Sequence, residues 1–369
     1  MERKTCLILF LSILPCLLSN LLAYLFFNHT LMTILKVIAF LGAFLILLYA
    51  LGPRPSKPVL DTTLPQVPSD LALLEQSILQ SERSNPGIKP DNEARIIWYD
   101  STHTKTEYCL VYLPGFTATY MEGMPVHQDF ARRYGCNLYL PRLYDHGLEG
   151  DDVYAAFSPD SLLDSATRAL AVGQQLGEKV ILMSCSTGGT LSILLAAGHP
   201  ELAGLITYSP NIEIKNSSAR LLTYPWGLYL GRVIVGSKYR EYEAADEFKK
   251  YWYTRYRMEG LVGLQTLLDA GMTPQTFRKV QQPFFMGYYY KNETEQDEVV
   301  SVPAMLKMFE QLGTPENLKQ KKAFPNVGQH AMISRITSQD IPSVEAETFR
   351  FAEEVLGLRP PQGTGGRPK

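Results

Sequence analysis

The sequence lacks the glycine-rich signatures of nucleotide-binding proteins and has little net charge. Neither G-x-G-x-x-G nor the P-loop motif G-x-x-x-x-G-K-[ST] occurs in its 369 residues. The formal net charge is −2, so no strongly basic composition points to a nucleic-acid partner. We therefore expect neither a nucleotide cofactor nor nucleic-acid binding. A hydrophobic content of 46% is typical of a folded protein with a sizeable core.

Cysteine is scarce, and its spacing fits neither a disulfide framework nor a metal site. The five cysteines are an odd number and form no C-x-x-C pair, whereas stapled secreted domains and zinc sites use paired or closely spaced cysteines. We expect free thiols in a protein that needs neither a metal ion nor a cofactor. The five are Cys6, Cys16, Cys109, Cys136 and Cys185.

The N-terminus contains long apolar runs, which the rest of the chain lacks. Residues 5–27 have no charge, and residues 31–51 have one, at Lys36. Because about 20 apolar residues cross a bilayer, each run is long enough to span it. A secretory signal peptide has a shorter apolar region and a small-residue cleavage site, and neither fits here. We expect residues 1–52 to form a hairpin of two transmembrane helices, interrupted at residues 28–30.

Basic residues predict the orientation of this hairpin. Arg3 and Lys4 precede the first run, Arg54 and Lys57 follow the second, and the link between the runs has neither Lys nor Arg. Basic residues flank membrane spans preferentially on the cytoplasmic side. We therefore expect a multi-pass membrane protein whose two ends, and hence the catalytic domain, face the cytoplasm. Lys36, about one turn into the second run, argues the other way.

The remainder of the chain has the pattern of an α/β protein. Clustered prolines mark residues 53–70 as a stiff linker. Beyond it, apolar runs typical of buried strands alternate with segments of helical periodicity, which predicts a mostly parallel sheet with helices on both faces. The predicted strands are residues 95–99, 108–113, 137–140, 180–183, 205–208, 283–290 and 322–324.

A long insertion divides this core. About 70 residues separate the fifth and sixth predicted strands, far more than a crossover between parallel strands requires. We expect them to form a helical cap whose many aromatic residues mostly build a small core of their own. The predicted segments are 71–210 and 281–357 for the core, 211–280 for the cap and 358–369 for a flexible tail.

The stretch ILMSCSTGGT, residues 181–190, ends a predicted strand in small residues on both sides of Ser186. A nucleophilic serine needs a sharp turn from strand to helix, where small neighbours let two backbones pass closely. Gly188 and Ser184 meet that need, although the usual motif, G-x-S-x-G, has glycine at the first position. The alternative is an ordinary small-residue turn that opens a helix.

A serine nucleophile needs a base, normally a histidine that a carboxylate orients. His330 follows Ser186 and lies in a loop beyond the last predicted strand. Four carboxylates compete for the role of the acid in the preceding loop, and Asp297 is favoured because the apolar residues 299–300 can fix it to the core. The alternative is that the whole cluster is a solvated loop. The competing carboxylates are Glu293, Glu295 and Glu298.

Two backbone N–H groups are needed to stabilise the oxyanion that forms when a serine attacks a carbonyl group. One normally comes from the residue after the nucleophile, here Thr187, and the other from a loop after an earlier strand. The segment LPGF follows the second predicted strand and offers the N–H of Phe116. Gly115 permits a tight turn there, although Pro-Gly is also a common signal for plain turns.

In their order along the chain, five segments resemble the α/β-hydrolase superfamily, specifically its lysophospholipase and monoacylglycerol-lipase-like serine hydrolases with a helical cap. The resemblance covers about residues 93–357. It implies a catalytic triad of Ser186, Asp297 and His330, with Phe116 and Thr187 as oxyanion donors. The five segments are LPGF (113–116), YLPRLYDHG (139–147), SCSTGG (184–189), YYYKNETEQDEVV (288–300) and NVGQHAM (326–332).

Because of two departures from the family pattern, the substrates of relatives are a poor guide to the substrate of this chain. This chain has Leu-Pro-Gly at residues 113–115, where many relatives have His-Gly, and Ser184 where they have glycine. The pair His146-Gly147 matches a loop position that is mostly structural in relatives, so we expect no catalytic role for it.

The expected function is that of a membrane-anchored serine hydrolase that cleaves carboxylic esters through an acyl-enzyme. An aromatic cap over Ser186 and a nearby bilayer favour an acyl-glycerol or lysophospholipid-like substrate. One alternative is a peptidase or amidase of the same fold, which would recognise a substrate amine through the acidic residues of 241–247. The other is a catalytically inactive binding protein with this fold.

Overall fold

The structure, a computed structural model, describes residues 2–361, and for residues 2–17 it describes the backbone alone. The tail predicted at 358–369 therefore lies mostly outside the described residues. Two compact units divide the chain after Arg54: an N-terminal helical unit and a body that begins at Pro55.

The N-terminal unit is one continuous helix, α1 (Glu2–Ala50). The hairpin prediction is therefore wrong, because residues 28–30 form no turn. They contain no glycine or proline that would break a helix, and the hydroxyls of Thr30 and Thr33 donate to carbonyl oxygens one turn earlier, at 2.8 Å each. Within the described residues, one helical segment, Leu18–Ala50, is long and apolar enough to cross a membrane.

A single span changes the argument about orientation. The segment Leu18–Ala50 has 33 residues, a length of about 50 Å at 1.5 Å per residue, which exceeds the hydrocarbon core of about 30 Å. A helix that crosses the bilayer once leaves its two ends on opposite sides. The expectation that both ends face the cytoplasm, which relied on two spans, therefore no longer holds.

Much of the predicted linker lies against the body. The N–H groups of Val59 and Leu60 donate to the carboxylate of Asp160 at 2.8 and 3.1 Å. The imidazole of His199 donates to the carbonyl oxygen of Thr62 at 2.7 Å. Leu60, Leu64 and Val67 pack against the hydrophobic core. The freely extended part of the linker is therefore short, and the body includes residues on the N-terminal side of the predicted start at 71.

The body is built on a mostly parallel sheet that contains all seven predicted core strands. In the described part of the chain, the sheet has the order β1-β3-β2-β4-β5-β8-β9, and only the edge strand β1 runs antiparallel to its neighbour. The carboxyl ends of the parallel strands thus share one edge. The strands are β1 (Arg95–Ile97), β2 (Thr106–Leu113), β3 (Asn137–Leu140), β4 (Gly177–Cys185), β5 (Gly204–Tyr208), β8 (Phe284–Tyr289) and β9 (Lys319–Phe324).

Helices cover both faces of the sheet, as the alternation of strands and helices predicted. Buried residues of α4, α5 and α10 pack on one face and those of α3 and α11 on the other. Helix α4 begins at Pro159, after the N-cap side chain of Ser158, a favourable start signal. The helices are α2 (Leu71–Arg83), α3 (Val126–Tyr134), α4 (Pro159–Leu176), α5 (Thr187–Gly198), α10 (Val302–Gln311) and α11 (Ile341–Glu354).

The cap between β5 and β8 differs from the prediction in two ways. It contains a short antiparallel strand pair, β6 and β7, besides its helices. Its buried aromatic residues join the main core clusters instead of forming a separate core: Trp252 lies in one cluster, and Tyr253 and Tyr256 in the other. The elements are α6 (Gly227–Val235), β6 (Tyr239–Glu241), α7 (Asp246–Tyr251), β7 (Arg255–Arg257), α8 (Met258–Gly271) and α9 (Pro274–Lys279).

Candidate active site

The turn at Ser186 joins strand β4 to helix α5. Ser186 directly follows Cys185, the last residue of β4, and has φ 54° and ψ −121°, a conformation that residues with a side chain rarely adopt. A Cβ atom at Gly188 would overlap the carbonyl oxygen of Leu113, so the turn requires glycine there. The N–H of Ser186 donates to the carbonyl oxygen of Tyr208 at 3.0 Å. These contacts hold Ser186 at the carboxyl edge of the sheet.

The loops after β8 and β9 bring Asp297 and His330 together. His330 Nδ1 lies 2.7 Å from Asp297 Oδ2, and its side chain is 15% exposed while that of Asp297 is fully buried. The other carboxylate oxygen of Asp297 accepts hydrogen bonds from the N–H groups of Val299 and Val300 at 2.9 and 3.0 Å. The carboxylate is therefore fixed on both of its oxygens.

The competing carboxylates of this loop face solvent. The exposed Glu293 accepts a hydrogen bond from the hydroxyl of Tyr290, and the exposed Glu295 pairs with Lys291. Glu298 is exposed as well. Asp297 is thus the carboxylate of the four that the structure places beside His330.

Electrostatics within this pair favour an ionised Asp297 and a more basic His330. Burial by itself would raise the pKa of Asp297, but the charge of His330 and the hydrogen bonds from it and from Val300 and Val299 hold that pKa below its usual value. Burial by itself would lower the pKa of His330, but the charge of Asp297, the hydrogen bond to it and the charge of Glu122 together raise it.

The segment that carries His330 lies near the serine turn. The hydroxyl of Ser209 contacts Met332 Sδ at 3.9 Å, and the preceding residue, Tyr208, accepts the N–H of Ser186. Among the described residues, the buried His330 Nε2 has no hydrogen-bond partner, so it makes no bond to Ser186 here. Since Nδ1 is taken up by Asp297, Nε2 is the ring nitrogen that remains without a partner in the described part of the chain.

The loop after β2 leaves one backbone donor uncommitted. Gly115 N–H donates to Glu122 at 2.6 Å, Thr117 N–H to the hydroxyl of Tyr154 at 3.0 Å, and the next N–H to the carbonyl oxygen of Gly115 at 3.1 Å. Within the described part of the chain, Phe116 N–H has no acceptor. At the start of α5, Thr187 N–H likewise has none among the residues described. First-turn helix N–H groups lack intrahelical acceptors and favour anions.

His146 has a structural place behind this loop. Its Nδ1 donates to the carbonyl oxygen of Tyr144 at 2.7 Å, and its Nε2 lies 3.1 Å from the hydroxyl of Tyr154, which in turn accepts Thr117 N–H. Burial lowers the pKa of His146 to about 4, so the ring is neutral. Tyr154 and Glu122, which support the loop, were missed from the sequence, because neither lies in a recognisable motif.

The cysteines contribute no metal site to this region. Cys109, Cys136 and Cys185 are free and buried, and the side chains of Cys6 and Cys16 lie outside the description. In the described residues, no group of three or more His, Cys, Asp or Glu side chains could hold a metal ion.

Solved structures share this arrangement of strands and helices. A structure of the metagenome-derived lipolytic enzymes LipS and LipT aligns with a TM-score of 0.57 and 17% sequence identity, over 72% of this chain and 98% of that one. This is an α/β-hydrolase fold. The complex of DcsB with its substrate analogue aligns with this chain at a TM-score of 0.50 and 15% identity, over 73% of this chain and 98% of that one.

At the level of sequence, similarity to characterised proteins is local. This chain is 28% identical over 100 residues to a thermostable monoacylglycerol lipase of Bacillus sp. (strain H-257). The match covers 27% of this chain and 39% of the lipase, so this chain aligns with about two fifths of that relative. No family model matches the sequence.

Proposed function

We propose that this α/β-hydrolase is a membrane-tethered serine hydrolase that cleaves carboxylic esters through an acyl-enzyme. The observation that carries the proposal is the Asp297–His330 pair, in which His330 Nδ1 contacts the buried carboxylate and Nε2 has no hydrogen-bond partner among the described residues. A fixed carboxylate, an oriented imidazole and a serine in a strand-to-helix turn are the parts that nucleophilic acyl transfer needs.

In the proposed reaction, Ser186 Oγ attacks the ester carbonyl carbon while His330 Nε2 accepts the hydroxyl proton. Asp297 holds the proton on Nδ1 and stabilises the imidazolium that forms. The C–O bond to the alcohol then breaks, and the alcohol takes the proton from Nε2. Water then attacks the carbonyl carbon of the acyl-enzyme while His330 Nε2 accepts its proton. The bond to Ser186 Oγ breaks, Oγ takes the proton from Nε2, and the acid and the free serine are released.

Two backbone donors would stabilise the negative oxygen of each tetrahedral intermediate. Phe116 N–H and Thr187 N–H are free of acceptors among the described residues, and donors aimed at a developing oxyanion contribute about 10² to 10³ in turnover number each. The departures from the family pattern at residues 113–115 and at Ser184 leave both of these donors in place.

A fatty-acyl ester is the substrate class that we favour. The bacterial relative is named as a monoacylglycerol lipase and the structural neighbour as a lipolytic enzyme. Phe116 packs against the rings of Tyr154, Phe157 and Tyr256 with centroid distances of 4.7, 5.5 and 5.5 Å. The three partner rings are buried and Phe116 is partly exposed, so Phe116 is the ring of this cluster that we expect an acyl chain to contact.

The cap also presents an apolar surface that we assign to the lipid bilayer. On α6, Val233 and Ile234 are 78% and 79% exposed, and Tyr229 and Leu230 are more than half exposed. The same chain carries a helical segment, Leu18–Ala50, that is long and apolar enough to cross a membrane. The bilayer is therefore the partner that we favour for this surface.

We place the body on the cytoplasmic side of the membrane. Arg54 and Lys57 follow the span directly and support this orientation, while Arg3 and Lys4 flank its other end. An alkaline phosphatase fusion after Leu60 distinguishes the two sides, because that reporter is active only outside the cytoplasm. A cytoplasmic body gives an inactive fusion, and a strongly active fusion would overturn the orientation without affecting the chemistry.

No observation favours the peptidase alternative. The acidic residues considered for binding an amine are exposed: Glu241 pairs with Arg255, and Glu243 with Lys249. A screen of p-nitrophenyl esters against aminoacyl p-nitroanilides tests the proposal directly, and we expect turnover of the esters alone. Ser186→Ala should lose about 10⁶ in turnover number. Preferred anilide cleavage, or retention of a tenth of the wild-type activity by Ser186→Ala, would contradict the proposal.

A further inference from the structure

Glu122 is a buried carboxylate beside the loop after β2, residues 114–117, which carries the proposed donor Phe116 N–H and is called the oxyanion loop below. It lies in a short 3-10 turn, Tyr120–Gly123, and is only 2% exposed. Its Oε2 accepts two hydrogen bonds, from Gly115 N–H at 2.6 Å and from the hydroxyl of Tyr112 at 2.9 Å. Buried carboxylates are rare unless their oxygens are paired, so these two donors explain how the group is accommodated.

The carboxylate also lies close to Ser186. A Cβ atom added at Gly115 would be 2.7 Å from Glu122 Oε1 and 2.9 Å from Ser186 Cβ. Gly115 is therefore packed between the two side chains, and no larger residue fits there. The position of the Gly115 backbone is coupled to Glu122 on one side and to the serine turn on the other.

The loop is held at the residues that flank Phe116. The carboxylate of Glu122 accepts a hydrogen bond from Gly115 N–H, and the hydroxyl of Tyr154 accepts one from Thr117 N–H. These two bonds fix the peptide planes before and after the Gly115–Phe116 peptide, which carries Phe116 N–H, and that N–H is left without an acceptor among the described residues. Preorganised donors stabilise an oxyanion without reorganising during the reaction, so the position of this N–H bears directly on turnover.

We infer that Glu122 is a positioning residue: its side chain is long enough to accept a hydrogen bond from Gly115 N–H, and this bond holds the oxyanion loop in place. The inference rests on the proposed function, because it assigns Phe116 N–H to the oxyanion. Glu122 itself does not touch the substrate. Its role depends on the length of its side chain and on an acceptor oxygen at its end, and a neutral amide of equal length meets both requirements.

Two substitutions distinguish the effect of the length of the Glu122 side chain from the effect of its charge. Glu122→Gln keeps the side-chain length and one acceptor oxygen but removes the charge, whereas Glu122→Asp keeps the charge and shortens the side chain by one carbon. For full-length protein in detergent micelles, the rate of labelling by a fluorophosphonate and the kcat and KM for a p-nitrophenyl ester are measured. In both reactions Ser186 Oγ attacks an electrophilic centre, the carbonyl carbon of the ester or the phosphorus of the fluorophosphonate, whose oxygen gains negative charge that the loop would stabilise.

We expect Glu122→Asp to lower kcat and the labelling rate together by about tenfold or more, with KM changed less than about twofold. Glu122→Gln should stay within about threefold of the wild type in both measurements. The matched control is Glu107→Asp, the same substitution at an exposed glutamate that pairs with Lys179, and it should change neither rate.

The outcomes are distinct from those of the proposed function. Wild-type protein that the fluorophosphonate does not label contradicts the proposed function itself and, with it, this role. If the wild type is labelled and Glu122→Asp is labelled equally fast, the role of Glu122 alone is overturned. It is also overturned if Glu122→Gln loses as much activity as Glu122→Asp or more, because the length of the side chain would then not determine the activity.

Discussion

Ser186 is held in a backbone conformation that residues with a side chain normally avoid, and its neighbours explain how. Its φ of 54° is compatible with a sharp turn only because glycine at residue 188 lets α5 approach the end of β2. The hydroxyl is thus positioned by steric constraints that a small-residue pattern reveals in sequence. The support of the loop opposite, by Glu122 and Tyr154, comes from residues that meet only in three dimensions and could not be predicted.

The contact between Asp297 and His330 could likewise be predicted only in part. Loop order along the chain indicated the histidine. The reason given for choosing Asp297 among four carboxylates holds for Val300, which is buried, but not for Val299, which is 48% exposed. The hydrogen bonds from the N–H groups of Val299 and Val300 to the carboxylate were not predictable, because they depend on the local path of the loop backbone.

Activity should depend on pH through His330. Only the neutral imidazole accepts the serine proton, and although burial lowers the pKa of His330, the charge of Asp297, the hydrogen bond to it and the charge of Glu122 together raise that pKa. Turnover should therefore fall as the pH decreases through a value above the usual histidine pKa of about 6.5. A pH profile of kcat/KM measures the position of this limb. A limb below pH 6, or full activity of His330→Gln, would contradict the assignment of the base.

Asp297→Asn should be far more damaging than changes to its neighbours. An amide cannot keep the proton on His330 Nδ1 in the required tautomer, and comparable changes lose up to about 10⁴ in turnover number. Glu295→Gln is the matched control, since Glu295 lies exposed in the same loop and pairs with Lys291. Steady-state turnover of a soluble ester compares them. A severe loss in Glu295→Gln with mild loss in Asp297→Asn would make this choice of acid wrong.

At the scale of elements, apolar continuity determined what could be predicted. The central strands were found because a parallel sheet covered on both faces needs continuous apolar runs. The edge strand β9 is mostly polar, and the prediction of residues 322–324 caught only its C-terminal half. The pair β6 and β7 was missed, since its three-residue strands are polar and lie on the surface of the cap. The long helix α1 was divided in two, because composition alone does not distinguish a turn from polar residues inside a continuous helix.

The exposed face of α6 should matter for substrates that lie in a membrane. Ile234→Glu places a charge on a surface that we assign to the bilayer, so hydrolysis of a monoacylglycerol in phospholipid vesicles should fall several-fold while turnover of a soluble ester is unchanged. Ser237→Glu, at an exposed position just beyond α6, is the control for added charge. Equal rates on vesicles for Ile234→Glu and the wild type would argue against contact of α6 with lipid.

At the scale of the whole molecule, the boundary between anchor and body lies earlier than the sequence predicted. A body that begins at Pro55 keeps the contacts of Leu60, Leu64 and Val67 with the core, and one that begins at Leu71 loses them. We expect both to hydrolyse soluble esters, and the shorter body to unfold at a lower temperature because it exposes apolar surface. Thermal unfolding of the two truncated proteins, followed by circular dichroism, tests this. Equal melting temperatures would show that residues 55–70 contribute nothing to stability.

The central claim is that Ser186 becomes covalently modified during turnover. The most direct measurement is to label full-length protein with a fluorophosphonate, digest it and locate the adduct by mass spectrometry. Our account predicts one adduct, on the peptide that contains Ser186, loss of esterase activity in proportion to labelling, and no adduct in Ser186→Ala. An adduct on another residue that accompanies the loss of activity, or ester turnover that persists in fully labelled protein, would contradict it.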